Sequence, residues 1–330
     1  MGDMKIVVGD RNLFPHRELF ESGLPHGATV SWHPVFDEQS VIADLPDADV
    51  YVGGKFTAAM AAAAGRLRLI QVAGAGYDNV SLSDVSADTR VANTFHHESS
   101  IAEYIVSTAI LLRRGFLTQD RALRRGIWAT SVYDDTIDQP RTLRDARIGF
   151  VGFGHIGAQS WTVLRALGAT GCAVTGSGSV DADEHGLAWA GDTGALTRLL
   201  DESDVVVVSA PLNDRTRGMI GRDELARIGS GGVLINVGRG PLVDPHSLHD
   251  ALSDRSIAAA AIDVWYDYPS SDGTGRPSEL PFSELSNLVM TPHSSGVTRD
   301  TFVGRVGDIT GNITRLADGR ELLRVVHPRA

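Results

Sequence analysis

A single cysteine in 330 residues, Cys172, leaves no partner for a disulfide and too few thiolates for a cysteine-based metal cluster. Basic residues are also in short supply: 30 Lys and Arg face 41 Asp and Glu, a formal net charge of -11. That balance disfavours nucleic acid and acidic membranes as partners, since both are met by basic patches. No run approaches the roughly 18 uninterrupted apolar residues of a membrane span. The opening MGDMKIVVGD passes straight into a strand pattern without the layout of a signal peptide. Met-Gly begins the chain, but Ile6 stands where an N-myristoylation signal has Ser or Thr. Repeats and low-complexity segments are missing as well. These absences lead to the expectation of a soluble, cytoplasmic protein with no metal site.

Hydrophobic residues make up 42% of the chain and charged residues 22%, enough apolar material for full cores. The length suits about two domains. Short, β-branched, almost continuously apolar runs recur at KIVVGD (5–10), DVYVGG (49–54), LRLIQVAGAG (67–76) and RIGFVGFG (147–154). They continue at DVVVVSAPL (204–212), GGVLINVG (231–238), AAAAIDVW (258–265) and NLVMTPH (287–293). Such runs predict buried strands of parallel sheets covered on both faces. Helical patterns separate them at 100–114, 155–167, 194–202 and 245–252. Strand–helix alternation in two series predicts an α/β chain with two doubly wound parallel-sheet domains. A helix at 99–114 opens the second series and bridges the domains, with Ser100 and Glu103 at capping-box spacing. The segment 297–319 has helical periodicity and is expected to return to the first domain. YPSSDGTGRPSELP (268–281) has the composition of a surface loop.

In RIGFVGFGHIGAQSWTVLRALG, Gly152, Gly154 and Gly157 follow a strand and open a helix. In that order the glycines permit a tight turn, close approach of a pyrophosphate and helix–strand packing. The helix start, with His155 and Ile156, offers free N–H groups to phosphate. An acid holding the ribose 2′-hydroxyl is due about 20 residues on. The second strand, GCAVTGSGSVD (171–181), carries none before Asp181; Thr175, Gly176 and Ser177 occupy its end. A carboxylate there would repel a 2′-phosphate, so the reading is NAD(P) with a lean to NADP, although no arginine stands ready to grip that phosphate.

Three elements now fall in order: the glycine loop, INVGRGPLVD (235–244) with Arg239, and VMTPHSSGVT (289–298) with His293. Together they resemble the D-isomer-specific 2-hydroxyacid dehydrogenase family, which includes glyoxylate/hydroxypyruvate reductases and phosphoglycerate, formate and phosphite dehydrogenases. The likeness extends to VAGAGYDNV (72–80), similar to the family's substrate loop, and to VVVSAPLNDRTRGMI (206–220), similar to its cofactor-flanking segment. The resemblance implies a flavodoxin-like substrate domain (1–98 plus 295–330) and a Rossmann cofactor domain (99–294), with the active site in the cleft between them. It also implies hydride transfer between NAD(P) and a small 2-hydroxy or 2-keto acid. That chemistry needs a cation on the substrate carboxylate, which Arg239 can hold bidentately without losing its charge. It needs a general acid/base, for which the imidazole of His293 is suited. Backbone N–H groups at Ala75, Gly76 and Tyr77 could receive the carboxylate. Gly238 and Gly240 would let Arg239 and the backbone approach cofactor and substrate closely.

The same resemblance places Ala210, Pro211, Thr216, Val237, Gly238 and Asp263 along the cofactor, Asp263 near the nicotinamide amide. It implies a homodimer, with Trp128 in an inter-subunit arm. The family's glutamate, which pairs with the histidine and raises its basicity, is due 29 residues past the arginine, and Tyr268 stands there. Tyr268 is therefore expected to hydrogen-bond His293 or the substrate, with His293 less basic than usual. Lys55, at the end of a first-domain strand, suits a second anionic group, and His97 is a candidate substrate contact. Two further readings stay open: a dehydrogenase for a non-carboxylate oxyanion such as formate, phosphite or a phosphonate, and a nucleotide-sensing regulator without turnover.

Overall fold

Val205–Val208, four consecutive buried valines, form the central strand of the larger of two sheets. β-Branched residues suit that place because both faces of a parallel sheet are covered. The computed structural model describes residues 4–270 and 273–328. In chain order its strands are β1 (Lys5–Val8), β2 (Thr29–Trp32), β3 (Val50–Val52), β4 (Leu69–Gln71), β5 (Arg90–Ala92), β6 (Arg147–Val151) and β7 (Thr170–Val174). They continue as β8 (Trp189–Gly191), β9 (Val205–Val208), β10 (Val233–Asn236), β11 (Ala259–Ile262), β12 (Leu288–Met290) and β13 (Val325–His327). By its internal contacts the chain divides into Met1–His96 with Thr298–Ala330, and His97–Val297.

In the first unit the strand order is β13-β5-β4-β3-β1-β2, a flavodoxin-like parallel arrangement with one antiparallel edge pair, β13 on β5. The helix Arg299–Ala317 belongs to this unit. Its buried Phe302, Val306, Ile309 and Ile313 pack with Ile6, Val8, Leu13 and Phe20. Each fully buried side chain of this size contributes roughly 1.5–3 kcal/mol. This helix is one wall of the unit's core.

The second unit carries the order β12-β11-β10-β9-β6-β7-β8, parallel throughout. The order reverses between β6 and β9, and ligands of such sheets bind beyond the carboxyl ends of strands at that reversal. Both sheets are α/β and doubly wound, and every apolar run quoted above contains a strand.

Three features depart from the sequence expectations. The strands β2, β5, β8 and β13 went unread; each has three or four residues, and β2, β8 and β13 lie half-buried at or beside sheet edges, where apolar continuity fades. The bridging helix starts at Glu98, with His97 at its N-cap. Ser100 therefore lies inside the first turn and not at the N-cap position that a capping box would give it, its hydroxyl donating to the His97 carbonyl at 3.0 Å. The sheet of the first unit is also not wholly parallel, because the chain returns to it from the end of the long helix as β13.

Candidate active site

The glycine turn follows β6 in the second unit. Gly152 has φ of 91°, and a Cβ there would stand 2.5 Å from the backbone nitrogen of Ala210, just past β9. Ser209 Oγ donates to the Gly152 carbonyl at 2.9 Å, tying the two strand ends together. Gly154 is the N-cap of the helix His155–Ala166, and open space surrounds the position its Cβ would take. Gly157 packs against the Gly152 carbonyl. Turn, open approach and close packing are the three requirements of a pyrophosphate cradle, so the residues fit a dinucleotide.

Gly152→Ala should therefore be damaging. An alanine at this φ costs about 1–2 kcal/mol, and overlap with the Ala210 backbone adds about 1–3 kcal/mol. We expect a lower denaturation midpoint and nucleotide affinity weakened by more than about tenfold; wild-type values for both would contradict this account.

Along the rest of the expected cofactor surface, Thr175 Oγ1 accepts from Gly178 N at 3.1 Å and Ser177 Oγ lies 2.7 Å from Ser179 Oγ. Thr216 Oγ1 donates to the Pro211 carbonyl at 2.7 Å and accepts from Asn213 N at 2.8 Å, which shapes the turn after Ala210 and Pro211.

Arg239 leaves β10 in an extended conformation, half-buried, with Nη1 donating to the Gly238 carbonyl at 2.9 Å. Asn236, buried at the strand end, braces this turn from both arms. Its Nδ2 donates to the Arg239 carbonyl at 3.0 Å and its Oδ1 accepts from Gly238 N at 3.1 Å. Val237 N donates to the Val208 carbonyl, continuing the ladder into the turn. The glycines here have a reason other than the ligand approach expected from the sequence. A Cβ on Gly240 would overlap the Trp265 carbonyl, and one on Gly238 would press on Leu242 and the Ala210 carbonyl. The chain's own packing demands them.

His293 follows β12, exposed, with φ of 56°. Its loop is held by Asp263, a carboxylate buried just past β11. Oδ1 accepts from Thr291 Oγ1 at 2.6 Å and Ser294 N at 2.8 Å; Oδ2 accepts from Ser295 N at 3.0 Å and Ser295 Oγ at 2.5 Å. Trp265 Nε1 donates to the Thr291 carbonyl at 2.8 Å, and Thr291 Oγ1 lies 3.1 Å from Tyr104 Oη on the bridging helix. Sequence reading missed Thr291, Ser294, Ser295, Trp265, Tyr104 and Asn236. The Asp263 carboxylate, expected beside a nicotinamide amide, is engaged by this loop.

Tyr268 Oη lies 2.9 Å from His293 Nδ1, with the ring centroids 5.7 Å apart, and Trp265 N donates weakly to the same Oη at 3.4 Å. Although His293 keeps solvent contact, partial desolvation of its ring lowers its basicity; the Asp263 charge opposes this and the Arg239 charge adds to it. Burial raises the Tyr268 phenol above its ordinary value. The structure thus brings Arg239, Asp263, Tyr268 and His293 to one edge of the seven-stranded sheet. His97, in the same unit, is buried, and its Cβ lies 3.2 Å from where a Cβ on Gly296 would stand.

Lys55, Ala75, Gly76 and Tyr77 belong to the first unit. Lys55 Nζ lies 3.9 Å from Glu38 Oε2 and 5.2 Å from the centre of the Phe36 ring. An exposed pair of this kind contributes about 0–1 kcal/mol, little resistance to a competing anion. The Ala75 carbonyl accepts from Asn93 Nδ2 at 2.9 Å, Gly76 is exposed, and Tyr77 packs beside the buried Phe56 and Val80 cluster.

Glycine turn, helix N-terminus and strand-order reversal make the second unit a Rossmann-type dinucleotide-binding fold. The sequence pattern described as D-isomer specific 2-hydroxyacid dehydrogenase, NAD binding domain, matches residues 106–295, more than half of the protein. The chain belongs to the D-isomer specific 2-hydroxyacid dehydrogenase family. It is 29% identical over 282 residues to glyoxylate/hydroxypyruvate reductase B of Erwinia tasmaniensis, covering 84% of each chain. It is also 29% identical over 236 residues to D-3-phosphoglycerate dehydrogenase of Escherichia coli K12, covering 71% of this chain and 54% of that protein's length. The fold is similar to that of D-lactate dehydrogenase from Aquifex aeolicus, solved with NAD and lactic acid, with TM-score 0.82 and 20% identity over 99% of this chain and 100% of that one. Among the described residues no helix is long and apolar enough to cross a membrane.

Proposed function

We propose that the protein is an NAD(P)-dependent oxidoreductase that interconverts small 2-hydroxy and 2-keto acids. The observation that carries this reading is the shared sheet edge: Arg239 after β10 and His293 after β12 flank Asp263 after β11, in the unit that holds the glycine turn. A bound nicotinamide supplies the partner for hydride exchange at the substrate's C2. Arg239 holds the substrate carboxylate and polarises the adjacent carbonyl. His293 donates a proton to the developing alkoxide in reduction and takes the hydroxyl proton in oxidation. Lys55, Ala75, Gly76, Tyr77 and His97 are the proposed remaining substrate contacts.

The sign of the pH dependence follows from the lowered basicity of His293. Reduction uses the protonated ring, so its kcat/KM falls as pH rises through a midpoint below the ordinary 6.5. Oxidation uses the neutral ring and is lost as pH falls through the same midpoint.

Thr175 and Ser177, with no carboxylate at the end of β7, support a preference for NADPH over NADH. The test is turnover of glyoxylate, hydroxypyruvate, formate, phosphite and a phosphonopyruvate-type acid with each coenzyme, followed at about 340 nm. Turnover of a 2-keto acid supports the reading. Activity confined to formate or phosphite would replace it with an oxyanion dehydrogenase, a reading favoured by the Tyr268 phenol on His293. Tight nucleotide binding without turnover of any of them would sink both.

We extend the proposal to a homodimer. Leu123, Ile127, Trp128, Val132 and Tyr133 are all more than half exposed, and Ile127, Trp128 and Tyr133 help line a cavity of about 540 Å³. Apolar side chains clustered this way mark association surfaces. Trp128→Glu should convert a dimer to monomer in sedimentation velocity; a wild-type monomer at micromolar concentration would remove the idea.

A further inference from the structure

We infer that Tyr268 is the positioning residue of His293: its phenol oxygen accepts a hydrogen bond from Nδ1–H and so fixes the tautomer whose Nε2 lone pair faces substrate. The inference rests on the oxidoreductase reading and specifies how the proton-transfer group is held.

The geometry leaves Oη with two acceptor positions. Trp265 N–H points at one from 3.4 Å, and Nδ1 stands 2.9 Å away at the other. With one position taken by Trp265 N–H and the other assigned to Nδ1–H, the phenolic proton points away from the ring, and Nδ1 carries the ring's hydrogen in the neutral state. Nε2 is then the free base, able to accept the proton of a substrate hydroxyl. Once it has done so, the imidazolium still donates from Nδ1 to Oη, so the same contact serves both protonation states. A carboxylate in this place would do the same with a full negative charge and would stabilise the imidazolium strongly. A phenol keeps the orientation without the charge.

The other groups around the ring do not take over this role. Asp263, past β11, has both oxygens engaged by Thr291, Ser294 and Ser295. Arg239, past β10, repels the imidazolium. From the helix Glu98–Arg113, Tyr104 Oη meets Thr291 Oγ1, and His97 Cβ lies beside Gly296. Among the described residues, Nδ1 is met by Tyr268, and partial desolvation and the Arg239 charge favour the neutral ring. The consequence is an enzyme whose base form persists to more acidic pH than a carboxylate-paired histidine would allow.

The experiment is nitrogen-detected NMR of the histidine rings in the full-length protein, with His293 assigned by its loss in His293→Asn. Wild type should show the Nδ1–H tautomer at neutral pH. Tyr268→Phe should move the ring toward the Nε2–H tautomer that imidazoles prefer in water. Where turnover is measurable, kcat for oxidation should fall about tenfold with KM within about twofold. Tyr268→Glu should keep the Nδ1–H tautomer and raise the ring's titration midpoint by about one to two pH units, carrying the reduction limb of the pH profile with it. An Nε2–H ring in wild type, or a tautomer unaffected by Tyr268→Phe, overturns the inference. Because the ring is read directly, a protein that turns over no acid yet shows the tautomer change loses the proposed activity and keeps the Tyr268–His293 coupling.

Discussion

Under the proposed function, Arg239→Gln should lower kcat/KM for 2-keto acid reduction by roughly 10²–10⁴-fold. Two charge-assisted hydrogen bonds to the substrate carboxylate are lost, each contributing about 1.5–3 kcal/mol. A glutamine can still donate one neutral bond, so the loss is not complete. Both KM and kcat should worsen, because the proposed clamp would bind the ground-state carboxylate and also stabilise charge growing on the neighbouring oxygen. Nucleotide affinity, read by fluorescence titration, should stay within about threefold, since the glycine turn after β6 does not depend on this side chain. The variant must still fold, and Asn236, whose side-chain amide holds backbone atoms of the turn and not the guanidinium, makes that the expected result. Wild-type kcat/KM in Arg239→Gln would remove the anion clamp from the mechanism.

His293→Asn is expected to cost a further factor of similar size, roughly 10²–10⁴ in kcat in both directions, the usual contribution of a positioned general acid/base. Asparagine is the informative replacement because it tolerates the left-handed backbone, here at φ of 56°, better than alanine does. Substrate KM should change far less than kcat, and the pH limb assigned to the imidazole should vanish from the residual activity. Retention of that limb would mean that another group transfers the proton.

Much of the second unit was legible in the sequence because its central strands are buried on both faces. β6, β9, β10 and β11 are apolar almost without interruption, and glycine turns follow β6 and β10. Sheet edges were harder. β2 reads TVSW and β8 reads WAG, half-exposed in both cases, and neither offers a period to detect. At the site, the positions of Gly152, Arg239 and His293 announced themselves through the residues beside them. The Asp263 clamp did not, because its partners Ser294 and Ser295 lie 31 and 32 residues away and meet it only when β11 and β12 pair. The Glu38 partner of Lys55 was hidden for the same reason, since helix and strand end bring it there from 17 residues upstream.

The left-handed backbone of His293 has a thermodynamic consequence for when the site is assembled. A non-glycine residue held there costs about 1–2 kcal/mol, a strain that would let an unsupported loop relax. The four bonds at the buried Asp263 oppose that relaxation in the chain without any ligand. The orientational entropy of the proton-transfer loop is thus surrendered during folding, alongside burial of β11 and β12. In the proposed reaction a substrate arriving at this loop would meet a base already aimed, and its binding free energy would be left for the carboxylate and the reacting oxygen.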